Sequence, residues 1–209
     1  ARRRSRLYRR RGLFLDPCIM TRSSQHVQTQ AKASTQVWSE AWFKEEEAYE
    51  PHRTNLGAAL STIRRTAEAS ALRFILTKRM KGSETPVVVL GDINDGQHSN
   101  TVNILTEQPR YLVGESKGGD TALYTAQTLQ EYRNTRDVYY THIHQDSMES
   151  LDHILVSQEF YDNCRKRLWI FDGMTVRNDH LDSADHKADG TSDHGIVCAR
   201  FRHRPAKAL

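Results

Sequence analysis

Pro86-Val87-Val88-Val89-Leu90-Gly91-Asp92-Ile93-Asn94-Asp95-Gly96 carries the strongest structural signal in the chain. Its four consecutive apolar residues, three of them β-branched, predict a strand buried on both faces. The strand then runs into Gly, Asp and Asn, the residues of turns. Asp92 and Asn94 stand two apart at its C-terminal mouth, so extended geometry sends both side chains out on one face. A carboxylate and an amide held there suit phosphoester chemistry. The carboxylate can accept a proton from water or hold a metal ion, and the amide can donate to a phosphoryl oxygen as charge builds on it. The same residues would also make an ordinary strand-ending turn.

Upstream, residues 55–80 place Leu56, Leu60, Ile63, Ala67, Ala71, Phe74 and Ile75 at steps of three and four. That spacing predicts one helix with this stripe against the core and Arg64, Arg65, Glu68 and Arg73 on other faces. Gly82 is its stop signal. Downstream, residues 101–106 begin a second helix, 117–120 form a loop, and 137–143 alternate in a β-prone pattern. Leu151-Asp152-His153-Ile154-Leu155-Val156-Ser157 is a second strong strand, 168–171 a shorter one and 195–201 the last, with a polar loop at 178–191. Strands with few helices between them, and no regular βαβ alternation, describe an α/β chain without a parallel crossover repeat.

Two further polar groups sit against these strands. A charged pair at Asp152-His153 is costly beside apolar neighbours unless partnered. Ser192-Asp193-His194-Gly195 stands directly before the last strand. Adjacent Asp and His can divide labour, the carboxylate binding a hard cation and the imidazole moving a proton or stabilising charge. A histidine in that role needs an orienting carboxylate, and Asp152 is the natural candidate. Each group has a plainer reading as a half-exposed strand residue or a polar turn.

Bulk properties narrow the field. The 209 residues are 37% hydrophobic and 27% charged, with a formal net charge of +4. Seven of the 30 basic residues are arginines within residues 1–12; the remaining 23 face 26 acidic residues, a balance of −3. Basicity is therefore a property of the tail, which suits phosphate backbones or simple solvation. No apolar run reaches the roughly 18–20 residues of a membrane span. Cys18, Cys164 and Cys198 are odd in number and form no Cys-x-x-Cys, which argues against a disulfide framework and fits a cytoplasmic setting. Cys198 lies in an apolar run and reads as a buried free thiol. His142, His144, His180 and His186 with Asp182 and Asp185 suggest zinc, yet no tight ligand spacing supports it. Tyr139, Tyr140 and Trp169 could stack on bases but read better as core.

Taken together, Gly91-Asp92-Ile93-Asn94, Asp152 and Ser192-Asp193-His194, in that order and each beside a strand, resemble the endonuclease/exonuclease/phosphatase superfamily. Ile63-Arg64-Arg65-Thr66-Ala67-Glu68-Ala69, Leu72-Arg73, the 91–99 loop and Arg136-Asp137-Val138-Tyr139-Tyr140-Thr141-His142-Ile143 are similar to a bacterial branch of it. The resemblance implies a four-layer α/β sandwich, with two mixed sheets packed face to face and helices outside. It implies that Asp92 activates or orients water, Asn94 contacts the scissile phosphate and Asp193 binds Mg²⁺ or Mn²⁺. His194 would stabilise phosphoryl charge or move a proton, oriented by Asp152. It covers residues 51–201, so the expected layout is an irregular basic region at 1–50, the family-like domain at 51–203 and a tail at 204–209. The family's early Asn and metal-binding Glu find no counterpart before His52, and Glu40, Glu45, Glu46, Glu47 and Glu50 lack a strand context. The expectation is a metal-dependent phosphoester hydrolase, phosphodiesterase or nuclease-like, with an incomplete N-terminal part and activity in question. The alternative is a non-catalytic nucleic-acid or phosphate-binding module.

Overall fold

A computed structural model describes residues 50–109, 119–137, 139–144, 146–182 and 191–206. The arginine-rich segment, Cys18, the glutamates at 40 and 45–47, and Asp185 and His186 lie outside the described residues. Helix α1 spans Arg53–Met80, and Gly82 follows it at φ 71°. Strand β1 is Val88–Asp92. Helix α2, Asn100–Thr106, is capped by Ser99, whose side chain accepts from Val102 N. Strand β2, Leu123–Thr125, leads directly into helix α3, Ala126–Glu131. Strands β3 (His142–His144) and β4 (Ser147–Glu149) form a small hairpin. Strand β5 is Asp152–Ser157, and β6 (Trp169–Arg177) pairs with β7 (Ile196–His203). No helix among the described residues is long and apolar enough to cross a membrane.

The α/β class expected from the sequence holds, and every strand pairing among the described residues is antiparallel. One sheet has the order β1-β5-β2, with Val88 opposite Val156 and Asp92 opposite Asp152. Strand alternation sorts its side chains into two cores. Leu123, Leu155 and the partly buried Val87 and Val89 pack toward Ala69, Leu76 and Met80 of α1 and Leu105 of α2. Tyr124, Val156 and the partly buried Val88 and Ile154 pack toward Phe171 and Met174 of β6 and Val197, Ala199 and Phe201 of β7. Among the described residues the layers are therefore α1 and α2, sheet, sheet, with Ala126 and Leu129 of α3 in the second core. A bulge between Phe171 and Gly173 shifts the alternation of β6 by one, which lets Phe171 and Met174 both face inward.

Several sequence expectations are corrected here. On α1 the buried positions are Gly57, Ser61, Ala69, Arg73, Leu76 and Met80, while Ile63, Phe74 and Ile75 are 63%, 79% and 54% exposed. Arg73 is buried because its guanidinium has acceptors. Nη1 donates to Leu105 O at 2.9 Å, Nε to Glu107 Oε1 at 3.1 Å, and Nη2 to Thr121 O. Strand β1 is covered on both faces only in part: Val88 and Val89 are partly buried against opposite cores, Leu90 is 42% exposed, and among the described residues the strand lies at the edge of its sheet. The strand placed at 168–171 runs to Arg177, and the β-prone 137–143 segment yields only β3. Gly119 and Asp120, placed in a loop at 117–120, form a 3₁₀ turn with Thr121, as do Asp179–Asp182. Cys198 is exposed rather than buried, because Val197 and Ala199 take the inward positions of β7. Tyr139 and Trp169 do pack on the core. Tyr140 instead donates its hydroxyl to Asp182 Oδ1 at 3.2 Å.

Candidate active site

Three chain segments meet where β1 ends and β5 begins. Asp92 is the last residue of β1 and Asp152 the first of β5, and they are directly paired. Both therefore point to the same side of the sheet. His194 arrives from the loop that enters β7, and its Nδ1 donates to Asp152 Oδ2 at 2.8 Å. Ligand atoms of Asp92, Asp152 and His194 all lie within 4.8 Å of one another, and all three residues are half-buried.

The turn after β1 explains how Asp92 is held. Gly91 adopts φ 155°, which favours glycine. Asn94, at φ 53°, folds back so that its backbone N–H donates to Asp92 Oδ1 at 2.7 Å and its side-chain amide to Oδ2 at 2.6 Å. Ile93 N donates to Leu151 O at 2.9 Å, which extends the register past the end of the sheet. Both Asp92 oxygens are thus oriented by the residue two positions on. Burial pushes the Asp92 carboxyl up from its ordinary value, and the Asp152 charge adds to this. The Asn94 amide and His194 work in the opposite direction.

His194 is tuned the other way from the histidines near it, His142 and His153. Its hydrogen bond to Asp152 holds the imidazole above its ordinary value, against the effect of burial. Its own carbonyl oxygen accepts from His180 Nε2 at 3.1 Å, and its N–H donates to Ser192 Oγ at 3.0 Å. Gly195 is buried where a Cβ would meet Asn178 Cβ at 3.1 Å, Arg177 O at 3.2 Å and Val176 Cγ1 at 3.3 Å. A side chain here would push these neighbours away by a few tenths of an ångström.

Of the five residues selected from sequence, Asp92, Asn94, Asp152 and His194 come together. Asp193 is exposed and stands outside the group of three, though its charge acts on both His194 and His142. His153, adjacent to Asp152, faces the helices instead, with Nε2 2.8 Å from Asp95 O. Burial pushes its imidazole down. His142, considered from sequence only for zinc, has its ring 4.9 Å from that of His194, and burial lowers its affinity for a proton. No tight motif marks His142 in the sequence. The donor set suits a hard divalent cation. Two half-buried carboxylates face each other across paired strands, where like charges repel, and oxygen ligands are those that Mg²⁺ and Mn²⁺ prefer.

A model of the endonuclease/exonuclease/phosphatase family matches residues 20–194. The match begins well ahead of residue 51 and ends on His194. No curated protein and no solved structure matches the chain.

Proposed function

The chain belongs to the endonuclease/exonuclease/phosphatase family, a group of metal-dependent phosphoester hydrolases, and on that premise we propose that it hydrolyses phosphodiesters at the Asp92–Asp152–His194 cluster. The observation that carries the proposal is the convergence of these three side chains from 92, 152 and 194 to within 4.8 Å. Asp92, with both oxygens oriented by Asn94, accepts a proton from the attacking water or aligns it. Asn94 has a second amide hydrogen to donate to the scissile phosphate. Asp152 fixes the His194 ring through Nδ1, which leaves Nε2 to serve a phosphoryl or leaving oxygen. Asp193, next to His194 in the chain, would hold Mg²⁺ or Mn²⁺, with the half-buried carboxylates of Asp92 and Asp152 offering further oxygen ligands. The cation, when bound, supplies Lewis-acid polarisation of the phosphoryl group.

The test is hydrolysis of bis-p-nitrophenyl phosphate with Mg²⁺ or Mn²⁺, comparing the chain with His194→Ala. Loss of general acid–base help predicts a fall in kcat of about 10²–10⁴-fold. Equal turnover by both proteins would remove His194 from the chemistry.

A second reading rests on the seven arginines of residues 1–12. Under it the chain is a binding module that holds nucleic acid by its tail. Affinity for a DNA duplex would then fall steeply with salt, and deletion of residues 1–12 would flatten that dependence. Binding unchanged by the deletion would rule this reading out.

A further inference from the structure

Thr141 precedes β3 and is fully buried. It is not part of the Asp92–Asp152–His194 cluster, yet its atoms bond to both arms of it. Its Oγ1 accepts from Leu151 N at 3.0 Å and from Asp152 N at 3.2 Å. Its carbonyl oxygen accepts from Gly195 N, the residue after His194, at 2.7 Å. Its own N–H donates to Glu149 O at 2.9 Å, which ties it to the β3–β4 hairpin. One residue thus fixes the backbone of the carboxylate that orients the imidazole and the backbone beside the imidazole itself.

We propose that Thr141 is a positioning residue, whose hydroxyl and carbonyl set the separation of Asp152 and His194 and so hold their hydrogen bond in working geometry. This rests on the reading of that pair as catalytic. The hydroxyl is the decisive atom. Two backbone N–H groups point at one oxygen, and valine at this position would keep the shape but leave both donors without it. Buried donors stripped of an acceptor move toward another one or toward water. Here that movement carries Asp152 with it. Serine would retain the oxygen and lose only a methyl group.

The experiment compares Thr141→Val and Thr141→Ser with the parent chain by two readouts. The first is the kcat and KM for bis-p-nitrophenyl phosphate. A displacement of this kind lowers kcat by about 10²-fold with KM nearly unchanged, and T141S restores kcat to within a few fold of the parent. The second is the low-field proton NMR resonance of His194 Nδ1–H bound to Asp152, which needs no turnover. It is expected in the parent and T141S and absent or shifted upfield in T141V. A folded T141V that keeps both the resonance and kcat overturns the proposal. Should T141V not fold, T141S decides: loss of the resonance despite an intact hydroxyl and a native amide spectrum also overturns it. If the parent shows no hydrolysis, the catalytic reading fails by itself, and the resonance still reports whether Thr141 sets the pair.

Discussion

His194 and His142 lie ring to ring at 4.9 Å, yet their protonation is driven apart. Asp152 favours the charged form of the first, and burial favours the neutral form of the second. Environments that separate two such groups assign them different work. His194 is the one that holds its proton more tightly than an ordinary imidazole. If it acts protonated, activity falls on the alkaline side as its raised value is passed, above the roughly 6.5 of an unperturbed imidazole. Replacing Asp152 by Asn removes the first cause of that shift. The alkaline limb of kcat/KM should then move to lower pH, and turnover at pH 8 should drop more than at pH 6. A limb that stays in place in D152N would show that another group sets it. The pairing behind this prediction was readable in the sequence as a need: a histidine in that motif wants a carboxylate, and Asp152 was the candidate. Thr141 was not readable, because a threonine between Tyr140 and His142 has no pattern that separates it from an ordinary strand residue.

At the level of elements, α1 shows where periodicity misleads. The steps of Leu56, Leu60, Ile63, Ala67, Ala71, Phe74 and Ile75 gave the helix its correct type and nearly its limits. They did not give the face, because α1 buries Ala69, Leu76 and Met80 in the core and Arg73 among oxygen acceptors, and leaves Ile63, Phe74 and Ile75 exposed. Arg73 could be buried only because carbonyl and carboxylate oxygens from residues 105, 107 and 121 were waiting for it. A sequence reading assigns arginine to solvent, since its cost inside is high until those partners are known. The consequence is measurable. Arg73→Ala strips donors from Leu105 O, Glu107 and Thr121 O and opens a gap, so it should destabilise the protein by about 2–4 kcal/mol, read from urea denaturation. By contrast, Phe74→Ala on the exposed side should cost much less. A small loss in R73A would show that water replaces the guanidinium freely. The strands were easier to read. Val87 to Leu90 and Ile154 to Val156 are apolar runs with turn residues at their ends, and both proved to be strands of one sheet. Their register was not legible, and it is the register that sets Asp92 opposite Asp152.

Over the whole molecule, the helix–sheet–sheet order puts the site at one end of the sheet, where the mouths of β1 and β5 meet the loop into β7. The order of three short motifs along the chain was enough to indicate the family, because each motif closes or opens a strand and strands of one fold end together. Distances were beyond the sequence. A cation shared by half-buried carboxylates should stabilise the folded chain by binding it alone. Millimolar Mg²⁺ or Mn²⁺ should raise the melting temperature by a few degrees, and Asp92→Ala should abolish the rise. An unchanged melting temperature in the parent at saturating metal would contradict the assignment of the cluster as a cation site. The hairpin of β6 and β7 has a further implication for how activity is acquired. Its register joins residues 19 to 34 apart in the chain, whereas β1 meets β5, and Asp92 meets Asp152, across 60 to 68 residues. Closing that longer loop is the slower event. During refolding from urea, the β6–β7 pairing should therefore form before Asp92 and Asp152 are brought together, so that part of the β-structure returns ahead of hydrolysis.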